Sequence, residues 1–150
     1  MEKLHAQIEM AVPVKEVWQV LTDFDAYPQW NPVFTALMSS HPQAGKSFKI
    51  QIKTPQSQSI TTKAVWQAFE PKKSLAWSSV WWHPLIFKAV HRFELEHIDQ
   101  NRSMLIHTEI FMGLLAKKIY RDTAGDWAQS FLKLNEMLHI RVTNAHQSQL

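Results

Sequence analysis

Two stretches near the middle of the chain carry the residues whose types and spacing could do chemistry. "LIFKAVHRFELEHI" (85–98) and "SMLIHTEIFM" (103–112) both alternate, and both set ionisable groups among apolar neighbours. In the first, Phe87, Ala89, His91, Phe93 and Leu95 fall on one face of a strand; in the second, Leu105, His107, Glu109 and Phe111 share a face. A turn centred on Gln100 pairs residues whose numbers sum to about 200, which puts His91 opposite Glu109 and Phe93 opposite His107; a one-residue slip would undo this. An imidazole and a carboxylate meeting on an apolar face can move a proton as acid and base, hold a ligand's carbonyl or hydroxyl, or form a purely structural pair. Burial raises the carboxyl's pKa, whereas a neighbouring imidazolium lowers it.

Other chemistries lack their residues. The chain has no cysteine, which excludes disulfides, thiolate catalysis and Cys-ligated zinc. No histidine pair has the HExxH spacing, and no His/Asp/Glu set repeats at ligand spacing, so no metal and no cofactor are expected. Ser78, Ser79 and Ser103 lie outside any GxSxG elbow, and there is no P-loop or GxGxxG. His83 precedes Pro84 in "WWHP", a rim position; His5, His41, His97, His139 and His146 read as surface. The formal charge of +3 is mild and scattered, with no basic stripe of the nucleic-acid-binding kind. "MEKLHAQIEM" lacks the pattern of a signal peptide, and no apolar run reaches the ~20 residues needed to cross a bilayer. The expectation is a cytoplasmic protein without stable membrane insertion or nucleic-acid partner.

The elements that must position His91 and Glu109 follow from periodicity. "LHAQIEMA" (4–11) alternates as a strand with one buried face. Pro13 suits the start of a helix, and Val14, Val17, Trp18 and Leu21 form an apolar stripe on it. Pro28 and Pro32 then cut "AYPQWNPVF" into a short helical turn and a corner. Strands follow at 33–39, 46–54, 60–69 and 74–82, ahead of the 85–98/103–112 hairpin. Beyond Gly113 the period changes. Leu115, Ile119, Ala124, Trp127, Phe131, Leu134 and Leu138 recur at three- and four-residue steps, the stripe of one helix of roughly thirty residues and about 45 Å. Gly125 is the place for a bend or a close approach, and the polar "TNAHQSQL" should fray. The 150 residues thus read as one α+β domain, an antiparallel sheet of about six or seven strands curved around a long C-terminal helix.

This order resembles the helix-grip fold of the START-like (SRPBCC) superfamily and, within it, bacterial polyketide cyclase/dehydrase-type proteins. The resemblance rests on Pro13, Val17-Trp18, Leu21, Asp23, Tyr27-Pro28 and Trp30-Asn31-Pro32. It continues through His91-Arg92-Phe93, Thr108-Glu109 and Phe111-Met112-Gly113-Leu114-Leu115, and covers nearly the whole chain. It implies a cavity between sheet and long helix, closed at one end by the early helices, with Trp30 as lid or core anchor. The fold hosts carriers, receptors and cyclases alike, so it does not by itself give a function.

The aromatic content supplies the walls. Seven Trp, eight Phe and two Tyr make inner faces bulky. The candidate ligand contacts are Trp30 and Phe34 at the corner, Phe48 and Ile50 on the next strand, and Trp66, Trp77 and Trp81 on the two after it. His91, Phe93, His107, Glu109 and Phe111 come from the hairpin, and Trp127 and Phe131 from the long helix. If Trp77 and Trp81 point inward, Ser79 does too and Trp82 points out.

Three functions fit. The first is binding or carriage of a hydrophobic small molecule, of lipid, polyketide or quinone type, in the internal cavity. The second is a cyclase/dehydrase-type enzyme with His91 and Glu109 as acid and base. The third is an interaction module, including a homodimer, whose core is filled by its own tryptophans. Its contacts would be Trp82, Phe69 and Val80 on the outer face. The first accounts best for apolar inner faces with few polar groups.

Overall fold

Period-two alternation in "EKLHAQIEM" produces β1 (Glu2–Met10), with every second side chain turned toward the interior. The computed structural model describes residues 1–150. The Pro13 carbonyl accepts from the N–H groups of Glu16 and Val17 at 3.0 and 3.3 Å, which opens α1 (Val14–Thr22). Val17 and Leu21 bury their side chains from it. A 3-10 turn (Phe24–Ala26) leads into α2 (Tyr27–Trp30).

The corner after α2 is built by local hydrogen bonds. Asn31 Oδ1 accepts from the backbone N–H of Val33 at 3.0 Å and of Phe34 at 2.8 Å, an Asx turn that starts the next strand. The Tyr27 hydroxyl donates to the Leu21 carbonyl at 2.5 Å, and the Tyr27 and Trp30 rings meet edge to face at 5.1 Å. The aromatic-proline segment therefore ties α1 to the sheet.

The remaining strands are β2 (Phe34–Met38), β3 (Ser47–Lys53), β4 (Ser59–Glu70), β5 (Ser74–Trp81), β6 (Phe87–Asp99) and β7 (Arg102–Met112). They form one antiparallel sheet of 7 strands in the order β1-β7-β6-β5-β4-β3-β2. The helix α3 (Ala116–Ser148) packs into its concave side through Phe131, Leu134, Asn135, Leu138 and Val142. This is the α+β helix-grip architecture expected. The β6–β7 register is also the expected one: His91 opposes Glu109 and Phe93 opposes His107.

Three expectations change. Phe69 does not face outward. A bulge between Trp66 and Ala68 shifts β4 by a residue, and Phe69 packs 5.4 Å from Trp18 and 5.7 Å from Trp66. The C-terminal stretch stays helical to Ser148, pinned by a 2.9 Å contact from His146 Nδ1 to Glu16, so His146 is not a free surface residue. Gly125 has open space around it and explains no close approach. The glycine that matters is Gly113, at φ +105, where a Cβ would come within 2.5 Å of the Ile86 carbonyl oxygen.

Candidate functional site

The hairpin brings together more than the sequence spacing promised. His91 Nδ1 lies 3.1 Å from Glu109 Oε2, and His91 Nε2 lies 2.8 Å from His107 Nε2. His107 Nδ1 lies 2.8 Å from Asn135 Oδ1, which α3 delivers from above. Four side chains thus form one hydrogen-bonded row across β6, β7 and α3. Both histidines are almost fully buried, at 3% and 2% exposure, so each buried N–H needs an acceptor and each bare nitrogen a donor.

That requirement fixes the direction of the row. Asn135 Oδ1 can only accept, so His107 Nδ1 carries the proton and His107 Nε2 is bare. His91 Nε2–H must then donate to His107, which leaves His91 Nδ1 bare in the neutral ring. The donor to that nitrogen is Glu109, as a protonated carboxyl. Burial points the same way. It pushes the Glu109 pKa up to about 8 and the His91 pKa down to about 3. His107 is held well below the usual imidazole range, first by burial and then by His91. The His91–Glu109 contact has ion-pair geometry, but both partners are neutral at pH 7, and it is a neutral hydrogen bond.

The surroundings enforce neutrality. Trp77 stacks on the His91 ring at 5.0 Å, Phe34 meets it edge-on at 4.5 Å, and Phe131 lies 5.3 Å away. Little water can reach an imidazolium there. Glu109 differs in one respect. Its side chain keeps 14% exposure, and Oε1 makes no hydrogen bond within the protein.

Glu109 opens onto a cavity of about 210 Å³ between the sheet and the first half of α3. Of the residues expected to contact a ligand, Phe34, Trp77, Trp81, His91, Glu109, Phe111, Trp127 and Phe131 line it. The other six sit elsewhere. Trp66 stacks on Phe48 at 4.5 Å, and its indole N–H donates to Ser39 Oγ at 3.0 Å. Ile50 and Phe93 are fully enclosed in the main core, and Trp30 packs on Tyr27. His107 lies behind His91. Trp30 belongs to α2 itself; the other five share a sheet face with the cavity wall but lie under the early helices and the middle of α3, which fill the space above them. The wall also contains Ile52, Thr54, Ile60, Ser79, Trp82, Phe87, Ala89 and Ile119. Ile52, Phe87 and Ala89 continue alternations already visible in the sequence, and Ile119 belongs to the helix stripe; Thr54 gave no signal. Asn135 was missed too, although a lone amide beside the Phe131–Leu138 stripe marks a buried partner.

A curved sheet gripping a long helix over an apolar cavity defines a START-like protein. Residues 11–139 match the family described as Activator of Hsp90 ATPase homolog 1-like protein, and the chain belongs to that family. Among solved structures, a START superfamily protein from Mycobacterium smegmatis is similar, at TM-score 0.72 and 17% identity over 95% of this chain and 98% of that one. A hypothetical protein from Helicobacter pylori reaches TM-score 0.75 at 14% identity, covering 94% and 88%. The Zhui aromatase/cyclase of a Streptomyces species gives TM-score 0.62 at 13% identity, covering 91% and 93%. At these identities the likeness is one of fold. No curated protein sequence matches significantly.

Proposed function

We propose that the protein binds a compact, mostly apolar small molecule carrying one hydrogen-bond donor, such as a phenolic or enolic ring. The carrying observation is the cavity of about 210 Å³ with a mostly apolar wall, on which Glu109 presents an Oε1 that makes no hydrogen bond within the protein. With Oε2–H committed to His91, Oε1 is the carbonyl oxygen of a neutral acid and accepts. A void of about 150 Å³ accommodates benzene, so this one suits one or two rings better than a long acyl chain. The aromatic wall favours a flat molecule. Of the lipid, polyketide and quinone types, the aromatic polyketide kind fits best.

Binding is favoured over acid–base catalysis by the same row. If Glu109 took a proton from the ligand on Oε1, it would pass its own from Oε2 to His91. An imidazole held down to about 3 is a poor acceptor.

Quenching of tryptophan fluorescence by naphthol and naphthalene tests the reading. Naphthol should bind about tenfold more tightly, the worth of one hydrogen bond to a buried acceptor. Glu109→Gln should keep that preference, because its amide can donate to His91 and still accept from the ligand. Glu109→Leu should lose it. Equal affinity for both probes in the wild type, or no binding of either, overturns the proposal. Native mass spectra before and after organic extraction would identify any molecule that co-purifies.

A further inference from the structure

The mouth of the cavity presents an apolar, cationic surface that the binding reading does not use. Trp82, Leu85 and Leu114 are 75%, 71% and 84% exposed, among the most exposed large apolar side chains in the protein. They come from two segments, the β5–β6 loop and the β7–α3 junction. The N–H of Leu114 donates to the Leu85 carbonyl at 2.9 Å, and that of Leu115 to the Ile86 carbonyl at 3.0 Å. Gly113 lets these backbones touch. The His83 ring braces the loop from within, accepting the Leu85 N–H on Nδ1 at 3.1 Å. The result is a firm two-segment platform.

Trp82 also holds a left-handed backbone, φ +67, which costs a bulky residue on the order of 1 kcal/mol relative to glycine or asparagine. An indole displayed to water at that cost is not explained by packing.

Charge completes the surface. Lys117, Lys118 and Arg121 are exposed on the first two turns of α3, directly after Leu114 and Leu115. Lys118 and Arg121 share the single carboxylate of Asp122, and Lys117 has no ion-pair partner. Lys88 is the second residue of β6, beside the loop, and Lys3 lies on β1 opposite Ile110 of β7, with Glu2 as the other nearby acid. At the other end of the sheet the turns mix both signs, with Glu70, Glu94, Glu96 and Asp99 among Lys72, Lys73 and Arg102.

We infer that this end of the molecule docks reversibly on an anionic lipid surface, with Trp82, Leu85 and Leu114 entering the headgroup region and the lysines on the phosphates. An indole at the interface, leucines beneath it and lysines around it match what such a surface offers. Trp81 and Trp82 also line the cavity, so the docked face is the one through which a ligand passes. The inference does not rest on the ligand proposed above.

Flotation with vesicles of phosphatidylcholine alone, and with phosphatidylglycerol added, tests it on the full chain. Binding is expected to the anionic vesicles and to fall as salt is raised. Trp82→Asn combined with Leu114→Ser should lower vesicle affinity at least about tenfold, and Asn relieves the backbone so the fold is safe. Lys117→Gln with Lys118→Gln should lower it about tenfold, and Lys117→Arg with Lys118→Arg should restore it. Equal recovery with neutral and anionic vesicles overturns the inference, as does unchanged binding by the Trp82/Leu114 variant. A dimer seen by sedimentation equilibrium and abolished by Trp82→Asn would also overturn it, in favour of a second copy of the chain.

Discussion

The two halves of the sheet's concave side are made of the same kinds of residue and end differently. Beneath α1 and α2, Phe24, Phe48, Trp66 and one side of Trp77 interlock with ring centroids 4.5–6.0 Å apart. Toward the start of α3, Trp81, Phe87, Phe111 and Trp127 surround a cavity. Composition does not separate the halves; what lies across from each does. The early helices plug one end, and nothing equivalent plugs the other. The His91–His107–Asn135 row runs along the boundary, with Glu109 on its open side. A filled half gives stability, and an unfilled half spends some of it on a binding site.

The largest expected effect separates the halves by truncation. Trp66→Ala should cost about 4 kcal/mol in chemical denaturation, because the ring is 1% exposed and stacked on Phe48. Trp81→Ala, at the rim of the existing cavity, should cost about 1–2 kcal/mol, since fewer contacts are lost. Similar costs at the two positions would mean that the open half is packed as tightly as the closed one.

A second effect, about 2 kcal/mol, comes from pH. Glu109 has its pKa raised from 4.5 to about 8, so the native state holds a proton that the unfolded chain has released. Its contribution is fully present below pH 4.5 and disappears as pH rises toward 8. His91 and His107 have theirs lowered, so their contribution is present above about 6.5 and is lost as pH falls. Between about pH 6.5 and 8 Glu109 acts without opposition from them, and stability should drop by about 2 kcal/mol. Glu109→Gln should be flat across that window and still lose stability in acid. A wild-type curve as flat as the variant's would show that Glu109 is ionised and that the row runs the other way.

How much of this was legible in the sequence follows the same division. Alternation gave the strands, and the sum of about 200 gave the His91–Glu109 pairing, because a pleat has a period of two and a tight turn fixes register. The long helix followed from its stripe. What periodicity could not say was which inward-facing residues meet other side chains and which meet space. Trp66 and Trp77 lie on paired strands with the same orientation, yet Trp66 is core and Trp77 touches the cavity. The bulge that turns Phe69 inward leaves no mark in "VWQAFE". Asn135 is legible only in hindsight, as a polar residue where α3 should be apolar. The row needs a partner about thirty positions from His107, and no local pattern reaches that far.

The smallest effect is the sharpest, because it predicts opposite signs. Ala64 and Ala89 both face inward, one on β4 and one on β6. Ala64 has no exposure and sits in the main core cluster, whereas Ala89 lines the cavity. Adding two methyl groups at Ala64, as Ala64→Val, forces its neighbours apart and should cost about 1–3 kcal/mol. The same change at Ala89 places those methyls in unfilled space. It should be neutral or stabilising by up to about 1 kcal/mol, as the new groups gain contacts that were missing. It should also weaken naphthol binding by taking room from it. Stability gained and affinity lost in one variant would tie the void to the binding site. If Ala89→Val destabilises as much as Ala64→Val, the space beside Glu109 is too small to admit any ligand, and the two halves differ in shape without differing in use.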